Sequence, residues 1–215
     1  MVVAASLTSG CSSEIDGKPK AQVEDVKKVE AKADAKADAK ADAKAEAPVA
    51  AKTFKLDKAS SSFGFVGAKI TGDHKGSFPE VEGEVVIAGD KPSTLKVTVQ
   101  TGSVTSDAEQ LTGHLKSADF FDVEKFPTST FTASEFVAKA GENGVTHEIG
   151  GELELHGVKK AIRFPAKVTI DASGAKGQAE FTINRKDFGI VYPGKPDDLI
   201  KDEVLLKLDL TFKAG

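Results

Sequence analysis

The segment Ser106–Phe131 reads SDAEQLTGHLKSADFFDVEKFPTSTF and holds the strong helical pattern of a chain that otherwise alternates like strands. Ser106 and Glu109 have the spacing of a capping box, in which a hydroxyl and a carboxylate satisfy free amides at a helix start. Apolar residues then recur on one helical face: Ala108, Leu111 and Leu115. A cluster that we call the aromatic plug follows, formed by Phe120, Phe121, Val123 and Phe126. Pro127 then forces the residue before it into an extended conformation. We expect this plug either to close one end of the fold or also to line a cavity.

On both sides of this segment, from Thr53 onward, apolar and polar residues alternate with a period of two. The longest alternation contains Ile162, Phe164, Ala166, Val168 and Ile170. Gly and Asp pairs mark turns between about eight such stretches. Antiparallel strands with one apolar face form a sandwich or a barrel, and an eight-stranded barrel is just wide enough for packed side chains or one ligand. The pattern therefore predicts an all-β domain with one or two short helices.

Composition excludes several classes of function. The chain has 29 Lys and Arg against 33 Asp and Glu, and this net charge of −4 offers no basic surface for nucleic acid. Cys11 is the single cysteine, so an intrachain disulfide and a thiolate metal cluster are both excluded. The histidines lack paired metal-ligand spacing, and we predict neither a metal site nor a cofactor: His74, His114, His147 and His156.

The first 52 residues differ from the rest. Residues 1–11, MVVAASLTSGC, resemble the end of a bacterial lipoprotein signal peptide, which predicts lipidation at Cys11; the alternative is an unstructured terminus with a stray cysteine. Ala31–Glu46 repeats AKAD three times and ends in AKAE. A segment with so few large apolar side chains cannot bury a core. We therefore predict a disordered tether over residues 12–52 and a folded domain over residues 53–215.

Several ordered segments of that domain resemble the YceI-like family of polyisoprenoid-binding periplasmic proteins. The matching segments are FKLD at 54–57, GSF at 76–78, HLKSADFFDV at 114–123, FPTSTF at 126–131, LHGVKK at 155–160, NRKDFGI at 184–190 and DEV at 202–204. The resemblance implies a lipocalin-like antiparallel eight-stranded β-barrel that binds an apolar or amphiphilic lipid, and a location in the bacterial cell envelope on the periplasmic side. The expected partners are this lipid and the membrane through the N-terminal anchor; a homodimer is expected on general grounds, since most oligomers are symmetric dimers.

Aromatic and aliphatic residues on the predicted strands and plug are candidates for binding such a lipid, although each is also compatible with plain core packing. They are Phe63, Phe65, Phe120, Phe121, Phe131, Leu153, Leu155, Ile162, Phe164, Phe181, Ile183 and Phe188. Arg185 is the candidate for a head group, because its planar fork suits phosphate or carboxylate. Alternatively, Arg185 pairs with Asp187 or Asp122.

Two other functions remain open at the level of sequence. A filled core would indicate a structural or stress-related envelope protein. An enzyme acting on an isoprenoid lipid would need two of His114, His156 and Arg185 to converge on a cavity. His114 lies beside Asp119 and could serve in acid–base chemistry or cap helix carbonyls. We expect no catalysis.

Overall fold

The computed structural model describes residues 13–26 and 51–214. This part of the chain contains one α-helix, α1 (Glu109–Lys116), which is too short to cross a bilayer; no helix in the same residues is both long and apolar enough to do so. The strands are β1 (Gln22–Asp25), β2 (Ala51–Leu56), β3 (Ser62–Lys69), β4 (Gly72–Ser77), β5 (Val81–Ala88), β6 (Lys91–Gln100), β7 (Thr105–Ser106), β8 (Thr128–Ala138), β9 (His147–Leu155), β10 (Val158–Asp171), β11 (Gly174–Asn184), β12 (Gly194–Lys195) and β13 (Asp198–Lys213).

Eight of these strands close into a barrel. The ring runs β2, β5, β6, β8, β9, β10, β11 and β13, and β13 pairs with β2 to complete it; every neighbouring pair is antiparallel. The hairpin β3–β4 extends the wall beside β13. The prediction of a lipocalin-like antiparallel barrel is confirmed.

Alternation along each strand decides which side chains enter the barrel. On β10, Ile162, Phe164 and Ala166 are 2%, 4% and 2% exposed. Their neighbours Lys159 and Lys167 are exposed to solvent. Successive side chains of a strand point to opposite faces, so the period-two pattern of the sequence becomes an apolar interior and a charged exterior.

The barrel has two distinct ends. The helix end carries α1, the turn between β3 and β4, and the segment 185–197, which is irregular apart from a 3-10 turn and the short strand β12. The opposite end carries the turns that join β5 to β6, β8 to β9 and β10 to β11. Strand β13 runs the length of the barrel, pairing Ile200 with Lys69 near the helix end and Lys213 with Gly174 at the opposite end.

The predicted capping box at the start of α1 is wrong. Ala108 is the N-cap residue and makes no side-chain capping bond. Ser106 instead belongs to β7, where it lies opposite Gly76 of β4, and its hydroxyl donates to the Ala108 carbonyl oxygen at 2.8 Å. The Ser106 amide donates to the Thr112 hydroxyl at 2.9 Å, and the Ser106 hydroxyl lies 2.9 Å from the same oxygen, so Ser106 contacts the helix through the Thr112 side chain rather than by capping its first amides.

The predicted tether begins with residues that the structure places on the barrel. Strand β1 pairs with residues 160–163 of β10, and the amide of Ala21 donates to the carbonyl of Thr182 in β11 at 2.9 Å. Strands β10 and β11 pair directly only between residues 167–171 and 174–178, so β1 fills the part of the wall where they separate.

Buried side chains and several ion pairs hold this N-terminal segment to the barrel in addition to the backbone bonds. Ile15 and Ala21 are buried, at 5% and 4% exposure, and the Glu14 carboxylate pairs with Lys75 and Lys207. Cys11 and the Ala31–Glu46 repeat lie outside the described residues. Along the chain, however, the repeat connects β1 to β2, two strands of the folded domain, rather than Cys11 to the barrel.

Candidate ligand-binding cavities

Two adjoining cavities lie inside the barrel. The helix-end cavity has a volume of about 140 Å³ and the inner cavity about 90 Å³. They share part of their walls, so a few side chains separate one from the other: Phe63, Val99, Ser129, Leu153 and Leu206. The interior of the barrel is therefore a divided apolar space rather than a completely filled core.

The aromatic plug lines the helix-end cavity. Phe120 and Phe121 follow α1, and both join Leu115 in the cavity wall. The ring of Phe121 meets Phe78 edge-on, with centroids 5.4 Å apart, and Phe120 contacts Tyr192 at 5.3 Å. Edge-to-face aromatic pairs of this kind add to the stability gained by burial alone. The plug thus both closes the end of the barrel and lines a cavity.

Aromatic residues of three strands surround the inner cavity. Phe164 and Phe181 stack with their centroids 4.0 Å apart and their planes at 11°, and Phe131 contacts Phe164 at 5.4 Å. All three line the cavity. Strands supply nearly all of this wall, which leaves little freedom for the side chains to move.

Arg185 is the charged residue among those lining the two cavities. It is 4% exposed, and it donates to the carbonyl oxygens of Ile190 at 2.8 Å and Lys201 at 3.1 Å. Burial lowers the pKa of its guanidinium, and the carboxylate of Asp202, 3.5 Å away, partly opposes that shift. The alternative pairing with Asp187 or Asp122 is wrong, because the partner is Asp202. Arg185 therefore cross-links the irregular segment at the helix end while its side chain borders the cavity.

The histidines contribute no lining atoms. His114 Nε2 lies 2.8 Å from Asp119 Oδ2, and the His114 ring packs edge-on against Phe120 and Tyr192. The His156 ring packs against Phe126 at 4.6 Å, and its buried Nε2 has no hydrogen-bond partner in the structure. Within residues 13–26 and 51–214, no group of three His, Cys, Asp or Glu side chains could hold a metal ion.

A family model described as a YceI-like domain matches residues 54–212, which include the barrel and both cavities. The chain belongs to the YceI-like family. The UPF0312 protein of Pseudomonas putida strain W619 is 34% identical to it over 160 residues, covering 67% of this chain and 79% of that protein. A UPF0312 protein of Pectobacterium carotovorum strain PC1 is 38% identical over 123 residues, covering 54% of this chain and 62% of that protein.

Two solved structures share the fold of this YceI-like chain. BcnA from Burkholderia cenocepacia aligns with a TM-score of 0.62 at 20% identity, covering 73% of this chain and 98% of BcnA. A polyisoprenoid-binding domain from Saccharophagus degradans, implicated in plant cell wall breakdown, aligns with a TM-score of 0.60 at 19% identity, covering 75% and 98%. At these identities the likeness establishes the fold.

The YceI-like barrel brings nearly all of the sequence-predicted ligand residues to a cavity wall. Phe63 and Leu153 line both cavities. The helix-end cavity adds Phe65, Phe120, Phe121, Leu155, Ile183 and Arg185, and the inner cavity adds Phe131, Ile162, Phe164 and Phe181. Phe188 is fully buried in the core and is absent from both walls. This placement puts the predicted residues at the cavity walls, and their role in binding a lipid stays a prediction.

Sequence reasoning missed lining residues of two kinds. Leu95, Val97, Leu206 and others on β6 and β13 belong to alternations that predict strands, and the same alternation would have predicted their inward orientation. Ile190 and Ile200 also line the helix-end cavity, but Ile190 lies in the segment 185–197 and Ile200 lies just after it at the start of β13, and this segment shows no hydrophobic period. No sequence signal could have placed these two.

Proposed function

We propose that this YceI-like domain binds the chain of an apolar or amphiphilic lipid inside its barrel and carries, stores or sequesters that lipid in the bacterial cell envelope. Polyisoprenoid, quinone-like and fatty chains are the candidate ligands. The observation that carries the proposal is the pair of adjoining cavities with apolar walls. Moving a lipid chain from water into such a space contributes about 0.8 kcal/mol per buried CH₂ group.

The size of the cavities limits how a long chain fits. A dry cavity of about 150 Å³ lined by Leu, Ile and Phe holds one benzene molecule, and the larger cavity here is about 140 Å³. A chain of ten or more carbons must therefore occupy both cavities and displace the side chains between them. Leu153 and Leu206 line both cavities and stand at this junction.

The two cavities differ in polarity, which gives the bound lipid an orientation. The inner cavity has no charged residue in its wall, whereas Arg185 borders the helix-end cavity. We place the end of the tail in the inner cavity and the polar end toward the helix end. Arg185 donates three hydrogen bonds to backbone carbonyl oxygens. Its main role is therefore to hold the segment that follows it in place, and recognition of a head group is secondary.

The Saccharophagus degradans domain supports the ligand class. That protein is described as polyisoprenoid-binding, and it shares this fold over 75% of the present chain. The proposal extends the class, and not a particular ligand, to this chain. We further propose lipidation at Cys11, which metabolic labelling with palmitate tests: an unlabelled protein recovered entirely outside membranes would reject the anchor.

A second candidate follows from the small cavity volumes. A barrel that never opened the junction between its cavities would be a structural or stress-related envelope protein with an effectively filled core. No comparable arrangement favours an enzyme, since neither His114 nor His156 lines a cavity. The predicted homodimer stays a prediction.

Uptake of radiolabelled polyprenyl lipids from detergent micelles distinguishes the two candidates. The full chain should bind one lipid, and Leu206→Trp, which fills the junction, should weaken binding of a long chain by tenfold or more. Phe63 lies across the same junction, and Phe63→Ala should preserve or improve uptake. A wild-type protein that takes up no lipid would leave the structural candidate in its place.

A further inference from the structure

We propose that the helix end of the barrel docks on a lipid bilayer through an apolar rim formed by Ile70, Val191 and Leu199. The identity of the cargo rests on the proposed function, but the rim rests on its own observations. Through this rim, lipid would pass between the membrane and the helix-end cavity without crossing water.

The rim is unusual for its exposure. Ile70, Val191 and Leu199 are 70%, 62% and 48% exposed. Only two other large apolar residues in the described part of the chain are exposed, Val26 and Val137. Single exposed apolar side chains are ordinary, whereas several at one site mark a surface that binds something apolar.

Backbone hydrogen bonds hold the segments of the rim together. The amide of Ile70 donates to the carbonyl oxygen of Leu199 at 3.2 Å, which joins the turn after β3 to the start of β13. The amide of Ile200 donates to the carbonyl of Pro193 at 3.0 Å, which joins β13 to the segment that carries Val191. The three side chains are therefore presented by one connected end of the barrel.

The rim and the cavity wall belong to the same segments. Val191 follows Ile190, and Leu199 precedes Ile200; Ile190 and Ile200 both line the helix-end cavity. Because successive strand residues point to opposite faces, the exposed Leu199 lies on the outer side of a strand whose inner side lines the cavity. A bilayer seated on the rim would therefore lie next to the cavity wall, which suits a membrane that delivers or accepts lipid and which a protein partner would not need.

Charges around the rim are balanced. Lys69 pairs with Asp198 at 2.8 Å, and the exposed Lys195 and Asp197 lie close by in sequence. Attraction to anionic lipids requires a cluster of Lys and Arg, which these residues do not form. Insertion of the apolar side chains, rather than charge, must therefore drive docking, and it should depend little on salt.

The course of the chain identifies the bilayer as the occupant. Ser13 Oγ donates to Asp73 Oδ1 at 2.8 Å, and the amide of Glu14 donates to Asp73 Oδ2 at 2.7 Å. The N-terminal segment therefore contacts the barrel at Asp73, which is only three residues along the chain from Ile70 of the rim. Two residues span at most about 7 Å, which keeps Cys11 within that reach of Ser13. The lipidated Cys11 that we propose would therefore join the folded domain beside the rim, so a membrane that held its acyl chains would face the helix end.

Vesicle flotation with a matched pair of valines tests the proposal. The full chain carrying Cys11→Ser is floated with neutral phosphatidylcholine vesicles, so that no acyl chain contributes. Val191→Glu should reduce the bound fraction about tenfold. Val137→Glu, at another exposed valine (50% exposed) near the opposite end of the barrel, should leave it unchanged. Ile70→Glu serves as a second rim variant, and circular dichroism checks that each variant remains folded.

Several results would overturn the docking proposal. A wild-type chain that does not float would do so, as would equal losses in Val191→Glu and Val137→Glu. Binding that requires anionic lipid and disappears in high salt would contradict insertion. A dimer in sedimentation that only the rim variants disrupt would assign the surface to a second copy. Lipid uptake from micelles needs no vesicle: uptake without flotation rejects the rim alone, and flotation without uptake rejects the lipid cargo alone.

Discussion

The two cavities of this barrel are neighbours built in different ways. Strands supply nearly all of the inner cavity, and its aromatic side chains stack closely, with Phe164 and Phe181 4.0 Å apart. The wall of the helix-end cavity includes α1, the aromatic plug and part of an irregular segment tied down by Arg185. The hydrogen bonds between neighbouring strands hold every part of a strand wall in place. An irregular wall is held only by a few separate contacts, such as the hydrogen bonds of Arg185. Under the proposed function, this difference corresponds to a rigid site for the lipid tail and an adjustable entrance.

The largest expected effect comes from opening the inner cavity. Phe164→Ala should lower the free energy of unfolding by about 3–5 kcal/mol, the cost of truncating a fully packed Phe, because the side chain is 4% exposed and stacked. Phe121→Ala, at a half-buried position of the helix-end cavity, should cost about half as much. Urea denaturation of both variants measures this. Equal costs would contradict the distinction between the two cavities.

A smaller effect should follow from removing the cross-link at the entrance. Arg185→Leu leaves the carbonyls of Ile190 and Lys201 without their donor. It should cost about 2–3 kcal/mol, because each hydrogen bond to a charged group is worth about 1.5–3 kcal/mol and the relief from burying a charge offsets part of the loss of two such bonds. Arg185→Lys should recover only part, because an ammonium cannot reproduce the planar fork. Hydrogen exchange should accelerate at residues 190–201 and stay unchanged in β10. Uniform acceleration throughout the barrel would mean that Arg185 acts on global stability alone.

Acid should loosen the N-terminal segment before the barrel. Hydrogen bonds from Lys207 and Lys75 lower the pKa of Glu14 from 4.5 to about 2. A carboxyl whose folded pKa is depressed stabilises the folded state above its unfolded pKa, and that contribution disappears as pH falls through the folded value. Protection of the amides of β1 should therefore decline severalfold between pH 4.5 and 2 in the wild type. Glu14→Gln should weaken protection at neutral pH and flatten its decline; an unchanged pH profile would contradict this assignment.

The smallest effect is expected at His114. Its ring packs against Phe120 and pairs with Asp119 outside both cavities. His114→Ala should change lipid affinity less than twofold in the micelle uptake assay, with Phe120→Ala as the contrasting variant inside the wall. If His114→Ala eliminated function while fold and lipid content stayed normal, the enzyme hypothesis would gain over binding.

Strand alternation is a strong local signal, so it predicts the all-β domain and most of the inward-facing residues, and the family resemblance adds the closed eight-stranded barrel. Phe131, Phe164 and Phe181 each face inward, because closing the sheet into a barrel turns the apolar face of every strand toward the interior. The partners of Arg185 could not be predicted, since backbone carbonyls of a distant segment have no sequence signature. The placement of Ile190 has the same cause.

The N-terminal strand was missed for a different reason. Ile15, Ala21 and Val23 are scattered among charged residues, so residues 13–26 resemble the polar segment that follows them. Their attachment depends on backbone hydrogen bonds to β10 and β11 and on ion pairs to lysines of other strands. These contacts depend on the gap between β10 and β11, which exists only in the folded barrel, so the sequence of residues 13–26 alone does not reveal them.

Native mass spectrometry of the full chain, purified without detergent and then extracted with organic solvent, tests the central claim most directly. The account predicts one additional mass per chain that extracts as a long-chain lipid, together with its loss in Leu206→Trp. A protein that carries no lipid, and that also fails to take up added polyprenyl lipid, would contradict it.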